Sequence, residues 1–191
     1  MTTKTDTKTV RVAATSDVEQ MARLYNESFP EHIMVHRNFL NNPDYLSARI
    51  KNSDECWVVE ESDNVIRGVA ALAIASPVGL GEIERVCVDK RCRGQGIALS
   101  LCSRLVDEAI LANLGFVEAF ARGDQPGMQR TFDKLCFKVY GVAPRFEIMH
   151  DGKLVREQFV HMGLELKPET IDESKMMLIP NARRLYGLIN E

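Results

Sequence analysis

The residues with the clearest potential for chemistry lie in a cationic turn between a predicted strand and a predicted helix. The turn has the spacing Arg91-x-x-Gly94-x-Gly96, and Lys90 and Arg93 add positive charge. Glycines let the backbone come close to a ligand, and a helix N-terminus presents unpaired N–H groups and the positive end of its dipole. The turn is therefore predicted to bind phosphate, although an ordinary basic turn could carry the same residues.

The spacing excludes one phosphate-binding motif and weakens another. A P-loop needs Lys and Ser or Thr directly after its last glycine, whereas Ile97 and Ala98 follow Gly96. A dinucleotide fingerprint needs Gly or Ala three residues after its second glycine, where this chain has Leu99. Because Glu118 stands at a suitable distance for a ribose contact, a dinucleotide-binding protein stays open as the weaker alternative.

The order of the predicted elements is that of an α/β domain. Apolar residues alternate in the strand segments and recur at helical spacing from residue 97 to 114. Strands are predicted at 10–14, 56–60, 65–75, 83–88, 116–121, 139–149 and 157–166, and helices at 15–29, 44–50, 97–114 and 126–135. The predicted organisation is a disordered arm (1–9), one domain (10–166) and an extension that packs on it (167–191).

Composition and charge exclude several classes of protein. A chain of 191 residues with 45% hydrophobic residues fits one domain with a sizeable core. A net charge of -3 with 7% aromatic residues argues against nucleic-acid and membrane partners. Without a signal peptide or an apolar run of about 20 residues, the protein is predicted to be cytoplasmic, and its five cysteines to be reduced. His32 and His36 lack the glutamate of a zinc-binding H-E-x-x-H motif, so no metal is predicted.

In its context, the turn resembles the coenzyme A signature of the GNAT superfamily of N-acetyltransferases. It follows the strand Val86-Cys87-Val88 and precedes an amphipathic helix, and the element order over residues 10–166 is also the family's. The resemblance implies a mixed, twisted, mainly antiparallel sheet flanked by helices, with splayed fourth and fifth strands around the pantetheine of acetyl-CoA. The residues implied to bind this co-substrate are Val86, Cys87, Val88, Arg91, Arg93, Gly94, Gln95, Gly96, Ile97 and Ala98.

The resemblance also implies a catalytic carboxylate on the strand before the turn. An alkyl amine with a pKa of about 10 is almost fully protonated at pH 7, so a base would help it attack a thioester. Glu82 stands where family members carry a glutamate that serves as general base. Glu84 lies on the same face of an unbulged strand and could act through a water. Both carboxylates are also compatible with solvated charges or partners of Arg85, and a backbone N–H near Val86 to Val88 would stabilise the oxyanion.

One position departs from the family pattern. Phe132 stands where many members have the tyrosine that protonates the departing thiolate, and phenylalanine cannot donate a proton. Water or Tyr140 would have to serve as the acid. The departure leaves open a second hypothesis, in which the chain is a catalytically silent acyl-CoA-binding module.

The segment after the fifth strand suggests the acceptor. Ala121-Arg122, followed by Gly127-Met128-Gln129, resembles bacterial β-lysine N-acetyltransferases of the same superfamily, with Gln129 in place of an asparagine. The resemblance implies that Arg122 pairs with a carboxylate of the acceptor, although a surface charge at a strand end is an equal alternative. The predicted function is transfer of an acetyl group from acetyl-CoA to a primary amine of a small amino-acid-like molecule, by direct attack through a tetrahedral intermediate. A homodimer is left open.

Overall fold

The chain contains both strands and helices, and the computed structural model describes residues 8–75, 77, 79–167 and 173–190. The strands are β1 (Thr9–Val12), β2 (Glu55–Ser62), β3 (Val65–Ala75), β4 (Leu80–Val88), β5 (Phe116–Arg122), β6 (Lys138–His150) and β7 (Lys153–Glu165). The α-helices are α1 (Val18–Ser28), α2 (Ile33–His36), α3 (Pro43–Ile50), α4 (Ile97–Leu111), α5 (Pro126–Lys134) and α6 (Pro180–Ile189). Within the described residues these strands form one sheet in the order β1-β2-β3-β4-β5-β7-β6.

The sheet opens between its two parallel strands. Neighbouring strands are antiparallel except β4 and β5, whose parallel pairing ends at Ile83 and Ala119. Beyond that point β4 stays paired with β3 and β5 stays paired with β7, so β4 and β5 separate. The predicted mixed, mainly antiparallel sheet with splayed fourth and fifth strands is confirmed.

Helices on both faces of the sheet bury two apolar clusters. Strand β3 shows why, because its residues are apolar on both faces. Ala70 and Leu72 point to the cluster under α4, whereas Val69 and Ala71 point to the cluster under α1 and α3. The sheet is therefore buried by α4 on one face and by α1 and α3 on the other.

A β-bulge turns β4 away from β5. Val69 pairs with Cys87, but Ala71 pairs with Glu84, so β4 carries an extra residue between these pairs. Arg85 in the bulge has a φ of 57°, which is unusual for a residue with a side chain. Tyr25 is fully buried on α1 and donates a hydrogen bond of 2.6 Å to the Arg85 carbonyl oxygen. This bond holds the bulge in place.

Removing that hydroxyl tests the contribution of the bulge to stability. We expect Tyr25→Phe to lower the free energy of unfolding by about 1–3 kcal/mol, because the Arg85 carbonyl loses its partner in a buried setting. Urea denaturation measures this change. Tyr186→Phe on the exposed helix α6 is the matched control and should change stability little. Equal losses in the two variants would contradict the role of Tyr25.

The predicted boundaries fall close to the ends of elements. Strand β1 begins at Thr9, one residue before the predicted start of the domain, and residues 1–7 of the predicted arm lie outside the described residues. Helix α6 of the predicted extension contacts β6, whereas residues 168–172 and 191 are also outside the described part. None of the helices in the described part is long and apolar enough to cross a membrane.

Candidate active site

A cavity of about 530 Å³ lies where β4 and β5 separate. The second half of β4, the turn after it, the end of β5 and helices α4 and α5 form its walls. The predicted cofactor-binding residues that line it are Val86, Cys87, Val88, Arg93, Gly94, Gly96, Ile97 and Ala98. Arg91 and Gln95 are not among the described residues that line it. The structure therefore brings most of the predicted residues together around one cavity.

The glycine turn presents backbone N–H groups to this cavity. Gly94 and Gly96 have φ angles of 79° and 86°, in the left-handed region that favours glycine. Gly96 is the N-cap of α4, and the first bond of the helix runs from the Ser100 N–H to the Gly96 carbonyl oxygen at 3.0 Å. The N–H groups of Ile97 and Ala98 precede this bond and can receive an anion at the positive end of the helix dipole.

The arginines of the turn are engaged by the protein. Arg91 is 74% exposed and donates to Asp89 at 2.8 Å, a contact that lowers the pKa of Asp89 to about 2. The Arg93 guanidinium donates to the Ser28 carbonyl oxygen at 3.2 Å and ties the turn to the end of α1. We therefore expect the backbone N–H groups of the turn to bind phosphate, with a further contribution from the positive charge of the turn.

Two basic residues of α5, which the sequence analysis did not select, also line the cavity. Arg130 and Lys134 lie four residues apart and therefore on the same face of the helix. Their charges face the same space as the glycine turn. The spacing was visible in the sequence, but only the packing of α5 against α4 shows that this face meets the cavity.

Glu82 and Glu84 share one face of β4 but lie in neighbouring depressions. Glu84 lines the cavity, whereas Glu82 lines an adjoining groove of about 340 Å³. Burial raises the pKa of each carboxyl group, and a nearby arginine opposes this rise, Arg85 for Glu84 and Arg145 for Glu82. A Glu84 carboxylate oxygen lies 2.7 Å from Arg85, whereas Glu82 and Arg145 are 3.6 Å apart. Glu84 is thus the carboxylate that faces the gap between the splayed strands.

A buried glutamate fixes Arg85 beside Glu84. The Glu55 side chain is 2% exposed and accepts hydrogen bonds from Arg85 at 3.1 Å and from the Trp57 indole N–H at 2.8 Å. It also contacts Arg49. The Arg85 guanidinium lies over the Trp57 ring, 5.4 Å from its centroid. The sequence analysis missed Glu55, because nothing in its strand pattern distinguishes it from a surface carboxylate.

Arg122, the last residue of β5, lines the cavity and is surrounded by carboxylates. Its side chain is 11% exposed and lies 2.9 Å from both Asp124 and Glu157, with Glu31 at 3.7 Å. Gln129 donates to the Arg122 carbonyl oxygen at 3.0 Å, which ties α5 to the end of β5. The carboxylate of an acceptor would have to compete with these partners, and its pairing with Arg122 stays a prediction.

Phe132, the candidate acid Tyr140 and the Cys87 thiol occupy different surroundings. Phe132 lines the cavity and packs against Phe137, with ring centroids 5.0 Å apart. Tyr140 packs edge-to-face on Phe116 and is not among the described residues that line the cavity. Burial raises the pKa of Cys87 to about 12, so its thiol stays protonated at neutral pH and is a poor nucleophile.

Several residues in or beside the cavity were not predicted as site residues; we call the part of the cavity lined by Glu31, Arg122 and Glu147 its acceptor end. Arg145 and Glu147 of β6 form an ion pair at 2.6 Å, and His161 of β7 lies 2.8 Å from Glu118. His32 also lines the cavity, but no group of three metal-binding side chains occurs among the described residues. No local signal marked the residues of β6 and β7, because only strand pairing brings them beside β5.

Comparisons with known proteins agree with this geometry. Residues 18–137 match the family model "Acetyltransferase (GNAT) family". The N-acetyltransferase from Staphylococcus aureus Mu50 has a TM-score of 0.71 at 21% identity, over 84% of this chain and 99% of that one. The structure of yncA from Salmonella typhimurium with its cofactor acetyl-CoA has a TM-score of 0.72 at 20% identity, over 86% and 96%.

A third solved structure covers a similar part of the chain, the ribosomal-protein-S18-alanine N-acetyltransferase from Escherichia coli. Its TM-score is 0.67 at 13% identity, over 87% of this chain and 98% of that one. No curated protein matches the chain. The family match covers more than half of the chain and includes the turn, both glutamates and most of the residues that line the cavity. The chain therefore belongs to the acetyltransferase (GNAT) family and is an acyl-CoA-dependent N-acetyltransferase that uses acetyl-CoA.

Proposed function

We propose that the protein moves the acetyl group of acetyl-CoA to a primary amine of a small molecule, by direct attack through a tetrahedral intermediate. The observation that carries the proposal is the position of Glu84, a desolvated carboxylate in the same cavity as the glycine turn. The protonated thiol of Cys87 argues against an acetylated enzyme intermediate. Family membership supports the acyl donor, while the acceptor is inferred from the site.

The residues of the cavity have distinct tasks in this reaction. The N–H groups after Gly94 would hold the pyrophosphate, and the β4 backbone from Val86 to Val88 would pair with the pantetheine. Glu84 would accept a proton from the ammonium group of the acceptor, directly or through water. A backbone N–H of the Val86 to Val88 segment would then stabilise the oxyanion.

The bond changes balance without a metal or a redox partner. The amine nitrogen forms a bond to the thioester carbon while the carbonyl electron pair moves to oxygen. Collapse of the intermediate restores the carbonyl, breaks the carbon–sulfur bond and releases the CoA thiolate, while the attacking nitrogen gives its second proton to water and becomes the neutral amide nitrogen. Because a thiol has a pKa of about 8.5, the thiolate can leave near neutral pH and take its proton from water, without the tyrosine that Phe132 replaces.

The amino-acid-like acceptor predicted from sequence depends on Arg122. Its guanidinium faces the acceptor end of the cavity, which favours a contact with the acceptor. Its three carboxylate neighbours weaken the case for a bond to a substrate carboxylate, because each would have to be displaced. The proposal therefore includes a primary amine on the acceptor, whereas a carboxylate on the acceptor that pairs with Arg122 stays a prediction.

An assay of thiol release tests the proposal. With acetyl-CoA and a panel of small primary amines, we expect release of free CoA that depends on the amine, with an N-acetylated product detected by mass spectrometry. Alcohols of the same size serve as controls and should give no release. Tight CoA binding without release for any amine would instead support the silent acyl-CoA-binding module, and binding of NAD(H) in place of CoA would support the dinucleotide alternative.

A further inference from the structure

We propose that the acceptor is an aliphatic amine that carries a second positive charge and no carboxylate, an inference that rests on the proposed function. The cavity, the groove beside it and the neighbouring sheet face are rich in carboxylates from several elements. They are Glu31 before α2, Glu82 and Glu84 of β4, Glu118 of β5, Glu147 of β6 and Glu157 of β7. A wall of this kind attracts a cation and repels a carboxylate.

The arginines on this face do not cancel its negative charge. Each of them has two carboxylates at distances from 2.6 to 3.6 Å. Arg85 lies between Glu55 and Glu84. Arg122 lies between Asp124 and Glu157, and Arg145 lies between Glu147 and Glu82. Arg49, which lines the adjoining groove, contacts Glu55. An incoming carboxylate would therefore meet arginines that are already paired. It would also face more carboxylates than arginines, because Glu31 shares Arg122 with two other carboxylates and Glu118 contacts His161.

The groove beside the cavity can receive the second charge. Glu82 and Glu118 both line it, and they are partners in the parallel pairing of β4 and β5, so their side chains lie next to each other on one face. Asp54 also lines this groove. Glu82 and Glu84 are two residues apart on a strand, or about 7 Å between their Cα atoms. A short diamine can thus place one nitrogen at Glu84 and the other at Glu82 and Glu118.

A cationic side chain of the protein already lies against these carboxylates and a neighbouring aromatic ring. The Arg145 guanidinium lies over the ring of Phe120, 4.1 Å from its centroid, and 5.9 Å from the centroid of Phe159. The same guanidinium is flanked by the carboxylates of Glu147 and Glu82. Aromatic faces and carboxylates together form the kind of surface that binds alkyl ammonium groups.

Three acceptors of matched length test the proposal, namely 1,4-diaminobutane, butan-1-amine and 4-aminobutanoate. With acetyl-CoA at one pH, we expect kcat/KM for the diamine to exceed that for the monoamine by about tenfold, and the amino acid to be the poorest acceptor. Equal or better turnover of butan-1-amine or 4-aminobutanoate would overturn the proposal. If none of the three supported thiol release but another amine of the panel did, this proposal would be overturned and the proposed function would stand; no release with any amine would contradict both.

One variant tests where the second positive charge of the acceptor binds. Glu118→Gln should lower the ratio of kcat/KM for the diamine to that for the monoamine several-fold, and because the ratio is taken within one variant, a general loss of activity cancels. Asp107→Asn, which removes an exposed carboxylate of α4 on the other side of the sheet, should keep the native ratio. An unchanged ratio in Glu118→Gln would show that the groove does not hold the second ammonium group and would contradict the proposal.

Discussion

Gly94→Val is expected to weaken CoA binding by about 100-fold or more, which corresponds to about 2.7 kcal/mol. Gly94 has a φ of 79°, a conformation that a β-branched residue adopts only under strain. A Cβ atom at this position meets no protein atom within 4 Å, and Gly94 lines the cavity, so we expect the new side chain to obstruct the approach of the phosphate to the turn. Isothermal titration calorimetry with CoA measures the loss directly.

The control for this variant must carry the same backbone strain away from the cavity. Gly152, in the tight turn between β6 and β7, has a φ of 74° and also has no protein atom within 4 Å of an added Cβ atom. Gly152→Val should therefore lose a similar amount of stability but keep native affinity for CoA. If Gly94→Val folded and bound CoA as tightly as Gly152→Val, the turn would not be the pyrophosphate site.

Glu84→Gln is expected to lower kcat/KM for amine acetylation by about 100-fold or more, with little change in affinity for CoA. Glutamine keeps the size of the side chain but accepts no proton from the acceptor. Glu82→Gln is the matched comparison, and because Glu82 lines the adjoining groove, we expect its smaller loss to appear mainly in KM. A larger loss of kcat in Glu82→Gln would mean that Glu82 is the base, as the family resemblance alone implies.

The parts of the molecule that depend on short stretches of sequence could be predicted. The glycine spacing after Val88 and the helix pattern that follows indicated the phosphate-binding turn, because these residues are adjacent in the chain. The strand and helix order likewise followed from local periodicity. The splaying of β4 and β5 came from the family resemblance, and the bulge at Arg85 has no local signal. Arg85 has a positive φ, and its carbonyl oxygen accepts a hydrogen bond from Tyr25, which lies sixty residues away in sequence.

Contacts between distant strands explain what the sequence did not reveal. The sequence analysis placed the last strand at 157–166, but β7 begins at Lys153, because Asp151 and Gly152 both have positive φ and form a tight hairpin turn. This hairpin carries Arg145 and Glu147 to the acceptor side of the site, beside Glu82. The distinction between Glu84 in the cavity and Glu82 in the groove also arises from this arrangement. The sequence pattern does not distinguish the position of Glu82 from that of Glu84.

The pH dependence of kcat/KM tests the role of Glu84 most directly. Burial raises the pKa of this carboxyl group, with opposing and reinforcing charges from Arg85, Glu82, Arg49 and Arg145. Because the ionised carboxylate is the active form, activity is lost as the pH falls through the raised pKa. For the native enzyme, log kcat/KM on total amine should rise with pH and level off above that pKa. For Glu84→Gln it should keep rising with the fraction of unprotonated amine, towards the amine pKa of about 10. A variant profile that levels off at the same pH as the native one would contradict Glu84 as the base.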